Sequence, residues 1–482
     1  MKNLRFPMIS LFLTGLLIFG ACEKLEEPEL SNEQSLEALE NDAELKAAGI
    51  DFAIVVEPEG PEYDTDNLLN AFQEVADRQE PGLIQLTEGT YYLDFMYVED
   101  FDGWLRGAGK DQTIIHPVPE GVELPDVLPM LIPAPCYLNF AGGDFRISDM
   151  TIDINLDEPM QPWDFFGVEE TWMAGVIRIT GSTAENYTAN TWLNDLAVKG
   201  RYVELSSFTP YNVDNAIIFG GGVGMLPMGG THRVQSCDFQ LVETGINSLG
   251  ASHSELVFGG SPPHGNTMQS MNCGILALHS EASDFRIAFN RMEDMLTFGG
   301  IYIEQDNVSW GNLNPGGSTY LLQKNSIDLG AASYPNAITF ADYLALSDPE
   351  KASEFKLIGN QVSVSEPGQW GILAFWGVQD GEIIRNQVSG ESEAGIVLWG
   401  YVHGFEVVNN SFGNFSSLVC DVFLHDYSYE NLIVATDYTT VYDFGTDNVL
   451  KGDVELLNAA LKSAGKVLNE EKTSKYKYPR PE

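Results

Sequence analysis

The feature that most constrains this chain is a sentence it writes five times between residues 286 and 426. An apolar segment ends at Asn-x-hydrophobic, and a second apolar segment follows within a dozen residues. The asparagines are Asn290, Asn325, Asn360, Asn386 and Asn410. The answering segments begin at Gly300-Ile, Ala337-Ile, Gly371-Ile, Gly395-Ile and Asp421-Val. Short apolar strands and tight turns recurring every 24 to 35 residues cannot each bury a face alone, so the units must stack into a solenoid. Equivalent asparagines then fall one above another at a corner. An amide that both donates and accepts can bond the coil above and the backbone around it. Asn also tolerates the left-handed backbone that such a corner requires. These asparagines are therefore expected to be scaffold.

The ends read differently. Lys2 and Arg5 precede an apolar stretch from Phe6 to Phe19, and Gly20-Ala21 lead into Cys22. This is the layout of a secretory signal that ends at a cysteine. It resembles a bacterial lipoprotein signal over residues 1–22, which implies that Cys22 is lipidated and becomes the mature N-terminus. The acidic start Glu23, Glu26, Glu27 is similar to the surface-export signal of Bacteroidota lipoproteins, implying an outer-membrane, cell-surface location with membrane contact through the N-terminal lipid alone. Residues 23–48 read as an acidic flexible tether. Residues 49–452 carry the solenoid, Asp453 to Ala464 has helical spacing, and residues 453–482 form a C-terminal helix and mobile tail. The four other cysteines (Cys136, Cys237, Cys273, Cys420) lack metal-site spacing and read as buried thiols.

Twenty-five basic residues face seventy acidic ones, a formal charge of −45. Bulk electrostatics of this sign excludes nucleic acid as a partner. No cofactor is required by any motif. Calcium suits so many carboxylates, although no Asp-x-Asp-x-Asp-Gly loop is present.

Near the start of the solenoid, Asp64-Thr-Asp-Asn-Leu-Leu-Asn-Ala-Phe-Gln-Glu-Val-Ala76 predicts an amphipathic helix whose first N–H groups Asp64 or Thr65 can cap. Leu83-Ile-Gln-Leu-Thr-Glu-Gly-Thr-Tyr and Leu105-Arg-Gly-Ala-Gly…Thr113-Ile-Ile follow as short strands. This ordered set over residues 64–115 resembles the entry to the pectate-lyase-like right-handed parallel β-helix superfamily, and the later repeats extend the resemblance to about residue 450. The resemblance implies an all-β right-handed parallel β-helix, here of about ten coils, with an N-terminal capping helix. It does not imply one activity, because the fold hosts lyases, hydrolases, epimerases and binding proteins.

Two constellations carry candidate chemistry. Aligning the Gly-Ile strands turns Tyr302, Glu304, Phe375, Trp376, Trp399 and Tyr401 outward. Consecutive outward aromatics suit the C–H faces of sugar rings. Strand-end polar residues join them: His279 with Glu281, Glu304 with Asp306, Asp342, and His425 with Asp426. Carboxylates one or two coils apart reach the spacing of glycoside hydrolysis. The second constellation is basic: Lys199, Arg201, His232 and Arg233, with Arg178 one coil earlier. β-Elimination from a uronate needs a cation to neutralise the carboxylate and a base for the α-proton. Ion pairing with the abundant acids is the plainer role of that group. The Gly-rich stretch Gly220 to Gly230 lacks the Gly-Lys-Ser/Thr ending of a phosphate loop, and Pro262-Pro-His264-Gly-Asn266 reads as a plain loop. The expectation is thus a surface lipoprotein that binds or acts on polysaccharide, neutral or anionic, as a lyase or hydrolase. The alternative is a non-catalytic glycan-binding, adhesion or structural protein.

Overall fold

A computed structural model describes residues 43–47, 49–50, 52–119, 136–154, 174–181, 188–201, 213–220, 228–306, 314–330 and 336–457. The expected signal, Cys22, most of the tether, parts of several inserts and the tail from residue 458 lie outside the described residues.

The described chain is a right-handed parallel β-helix. Strands pair only in parallel, each with its counterpart one turn earlier and later, and they form three sheets. The third sheet shows why the Gly-Ile motif recurs. Leu138, Ile177, Ile217, Ile246, Ile275, Ile301, Ile338, Ile372, Ile396, Val422 and Val441 pair in unbroken succession and point inward. All are buried. A β-branched side chain is stiff in a strand and stacks well on an identical neighbour, and each full burial contributes roughly 1.5–3 kcal/mol. The motif is a column of core residues.

The asparagine corner is the ladder that the repeat predicts, and it starts one rung earlier. Asn266, Asn290, Asn325, Asn360, Asn386 and Asn410 join in series, each Nδ2 donating to the next Oδ1 at 2.9–3.0 Å. Each Nδ2 also donates to a backbone carbonyl of the preceding turn, as Asn325 does to Ile287 at 2.9 Å. Asn266 is thus not part of the plain loop expected from Pro262 to Asn266, and the strand Thr267–Leu278 follows it at once. The left-handed backbone falls elsewhere than expected: it belongs to the residue before five of the six rungs, at Phe289, Lys324, Gly359, Arg385 and Asn409. A second ladder, Ser254–Ser283–Ser318, runs along another corner through backbone N–H to Oγ bonds of 3.1 and 3.2 Å.

Along the first sheet the register line from Ala53 to Val449 has fourteen rungs, more than the expected ten. The strands Phe52–Val56, Gly82–Leu86 and Gly103–Arg106 already belong to the stack. Helix α1 (Ala43–Ala47) also departs from the tether reading: Leu45 and Ile50 pack on Leu83 and Trp104 outside the first sheet. Helix α2 (Asp64–Arg78) sends Leu68, Ala71, Phe72 and Val75 into the core, where Phe72 meets Phe101 edge-on at 4.9 Å. Asp64 and Thr65 do not cap it. The Asp64 carboxylate instead accepts the N–H groups of Glu59, Gly60 and Tyr92, and Thr65 Oγ1 accepts that of Asp94. The helical spacing from Asp453 is overridden as far as Leu456. Val449–Leu456 is a strand, because the open edge of Leu432–Asp443 offers it a full row of backbone partners.

Candidate functional site

The third sheet and the corner that follows it gather most of the outward residues expected from sequence. Glu304, Ala341, Phe375 and Trp399 occupy one register line on its outer side, and Tyr302 lies on the adjacent line through Thr339 to Leu373. At the corner, the positions of His279, Asp342 and Trp376 follow from the backbone bonds His279 N–H to Glu304 O and Asp342 N–H to Trp376 O. His425 N–H bonds Leu398 O, placing it at the same corner. From the His279 turn to the His425 turn the track covers five coil steps, about 24 Å at roughly 4.8 Å each.

One end of the track is polar. The Tyr302 hydroxyl donates to Glu304 Oε2 at 2.5 Å, and Phe298, 49% exposed, packs edge-on to Tyr302. His279 lies close enough to feel both Glu304 and Asp306. Burial pushes its pKa below the usual imidazole value, and the two carboxylates oppose that shift. A neutral imidazole beside carboxylates and a phenol can move protons in either direction.

The other end is aromatic. Trp376, Tyr401 and Tyr427 follow one another on successive turns, with ring centroids 5.7 and 5.1 Å apart and planes inclined by 38° and 15°. Tyr401 and Tyr427 are 38% and 37% exposed. His425 lies 2.5 Å from Asp426 and 4.2 Å, ring to ring, from Trp399. Burial lowers the His425 pKa, and Asp426 opposes this. The stacking changes what these rings can offer. Trp399 has Trp370 and Phe423 stacked on it, and belongs with Leu373, Val397 and Tyr442 to an apolar cluster outside the sheet. Tyr401 turns its faces to Trp376 and Tyr427, so solvent meets ring edges and hydroxyls more than faces. Trp376 also carries a left-handed backbone, φ 42°. The same corner position is Gly142, Gly250 and Gly400 on other turns, and on one turn it is His279, left-handed at φ 54°. A bulky side chain there costs about 1–2 kcal/mol, so the scaffold alone does not call for it.

The remaining candidates serve structure. Asp342 is fully buried and accepts the N–H groups of Ala345 and Ser353, holding helix α3 (Tyr343–Ser347) against the corner; burial raises its pKa to about 6. Glu281 accepts bonds from Ser252 Oγ and the Asn314 N–H. The basic constellation does not converge. His232 points into the core, hydrogen-bonded to Thr191 Oγ1 and the Gly229 carbonyl, and burial drives its pKa to about 4. Arg233, next in sequence, points outward on the first sheet. Lys199 lies between Asp153 and Gln240 on the remaining, second sheet, which also carries residues 291–293 and Gln361–Val364. Arg201 follows it beyond the strand, and Arg178 is buried on the third. Strand alternation carried the signal: His232 and Val234 must share a face. Among the described residues no group of three or more His, Cys, Asp or Glu is placed to hold a metal ion.

Neither a family model nor a curated protein matches the chain. Among solved structures, a mutant of DFA-IIIase from Arthrobacter chlorophenolicus in complex with DFA-III is 11% identical, with a TM-score of 0.46 over 83% of this chain and 99% of that one. PfbA, a surface adhesin of Streptococcus pneumoniae, is 11% identical, with a TM-score of 0.42 over 81% and 87%. The A-module of the mannuronan C-5 epimerase AlgE4 from Azotobacter vinelandii is 12% identical, with a TM-score of 0.27 over 81% and 92%.

Proposed function

We propose that this chain is a cell-surface polysaccharide-binding protein that holds a glycan strand along the track from His279 to Tyr427. The observation that carries the reading is the row Trp376–Tyr401–Tyr427, exposed at both tyrosines and entered through a left-handed tryptophan where three other turns use glycine. Ring edges and phenol hydroxyls along a rigid corner suit the mixed C–H and hydroxyl surface of a sugar chain. Affinity electrophoresis against a panel of neutral and anionic glycans tests this. Retardation on at least one glycan, lost in the Trp376→Ala, Tyr401→Ala double variant, is expected. Mobility unchanged across the whole panel refutes it. The reading needs no cofactor, so EDTA should leave retardation unchanged; loss on chelation would assign calcium to the surface.

A catalytic reading is favoured by one further observation, the meeting of Tyr302, Glu304, Asp306 and His279 at one end of the track. In that reading Glu304, Tyr302 and His279 perform acid–base work on a bound glycan. New absorbance near that of unsaturated uronates would mark a lyase, and new reducing ends without it a hydrolase. Turnover unaffected by Glu304→Gln would remove these residues from the chemistry. The surface location rests on the lipoprotein-like signal. It predicts fatty-acid labelling of the cell-borne protein that disappears in Cys22→Ala, and digestion by protease added to intact cells.

A further inference from the structure

The outside of the first sheet carries a pattern the track does not use. One register line reads Trp104, Arg146, Trp192, Arg233, Val257, Arg286, Leu321, Lys356 on eight consecutive turns, alternating apolar and cationic without a break. The cations stand two coil steps apart, about 10 Å, and the four span about 29 Å. Arg146 is sandwiched, its guanidinium 3.8 Å from the Trp104 ring and 4.2 Å from that of Trp192, and its Nε donates to Asn194. Lys356 is paired with Glu354 and Glu382. Arg233 and Arg286, between them, are exposed and have no ion-pair partner among the described residues, in a chain with seventy acidic residues. Beside this line on one edge run Glu255, Asp284 and Glu354, and on the other the neutral Asn194, Gln235 and Gln323.

We infer that this face is a second binding surface, for an acidic polysaccharide lying along the solenoid axis with its carboxylates or sulfates on alternate rungs. Guanidinium forks suit such anions and bond them bidentately. The half-exposed Trp192, Val257 and Leu321 between the cations offer apolar contact to the sugar rings. The molecule's overall negative charge does not forbid this, since charges beyond about 8 Å are largely screened at physiological salt. A straight row with a fixed repeat suits an extended linear polymer better than a fluid lipid surface. The inference rests on the proposal that the chain contacts polysaccharide, but it concerns a different face, so the two can fail separately.

The test is affinity electrophoresis of the intact protein on polygalacturonate, at low and physiological salt, beside flotation with vesicles containing anionic phospholipid. Retardation that weakens with salt is expected, falling at least about tenfold in Arg233→Gln, Arg286→Gln, as charge-assisted bonds are lost. The Trp376→Ala, Tyr401→Ala variant should keep that retardation, even if it loses binding to other glycans. Unaltered retardation in the arginine double variant overturns the inference. So does an absence of retardation on polygalacturonate, and so does flotation with vesicles in place of it, which would make the face a membrane contact. Circular dichroism of each variant, expected to match wild type, keeps misfolding from imitating a positive result.

Discussion

The asparagine ladder makes a quantitative demand at its middle. Asn325 has no exposed surface. Its Oδ1 accepts from Asn290 N–H at 3.1 Å and from Asn290 Nδ2 at 2.9 Å, while its Nδ2 donates to Ile287 O at 2.9 Å and Asn360 Oδ1 at 3.0 Å. Asn325→Ala deletes all four. Asn290 Nδ2 keeps Phe258 O, and Asn360 Oδ1 keeps the Asn325 N–H. The Asn290 N–H loses its bond inside the corner. An orphaned buried donor costs about 1–3 kcal/mol and each of the three other lost bonds about 1, so the variant should lose about 4–6 kcal/mol. Asn410→Ala at the end of the ladder is the internal control. It removes three bonds, to Asn386 N–H, Asn386 Nδ2 and Ile383 O, at a site 7% exposed where water can substitute. Its loss should be about half as large. Urea unfolding followed by circular dichroism reads both, as a lower midpoint at unchanged slope. Hydrogen exchange shows whether protection fades first around the altered rung, as local coupling in a solenoid requires. A loss below about 1 kcal/mol for Asn325→Ala, or equal losses at the two sites, would refute the ladder as a principal source of stability.

Three other outcomes follow from the same geometry. Trp376→Gly relieves a left-handed tryptophan while removing its ring, so thermal stability should change by no more than about 1 kcal/mol as glycan retardation disappears; retained retardation would remove Trp376 from the binding track. His232 is held neutral, with a folded pKa of about 4 against the usual 6.5. Above pH 6.5 neither state binds this proton; as pH falls toward 4 only the unfolded state does, so stability should drop by about 3 kcal/mol across that window. The difference in urea midpoint between wild type and His232→Gln at pH 7 and pH 4 measures that drop, and parallel pH profiles would contradict it. Burial pushes the thiols of Cys136 and Cys237 up to about 12, and raises those of Cys273 and Cys420 as well. All four should resist a disulfide reagent at pH 8 until denaturant is added, and fast labelling of any one in the native protein would show its corner open.

Much of the scaffold was legible in one sequence because a solenoid repeats its own local rules. The Asn corners announced themselves through spacing, and the Gly-Ile strands supplied a β-branched column that is core along the whole third sheet. Alternation also contained an answer that the basic grouping passed over: His232 shares a face with the buried Val234, and Arg233 has the opposite one. Asn266 was hidden by its company, since Pro262, Pro263 and Gly265 speak for a loop while the rung depends only on where the chain re-enters the stack. The helical spacing from Asp453 likewise yielded, through Leu456, to an exposed strand edge, a partner that no local pattern reports.

The sequence by itself therefore determined the stack, its asparagine corner and the outward set of the Gly-Ile strands, because these follow from periods of two residues and of one coil. Only the tertiary structure decided which outward residues meet. Lys199 and Arg233 are 34 positions apart and lie on different sheets, whereas Tyr302 and Glu304 join His279, and Arg146 closes between Trp104 and Trp192. Loops of unequal length separate successive rungs, so distance along the chain loses its meaning, and neighbours are set by the register of backbone hydrogen bonds between coils.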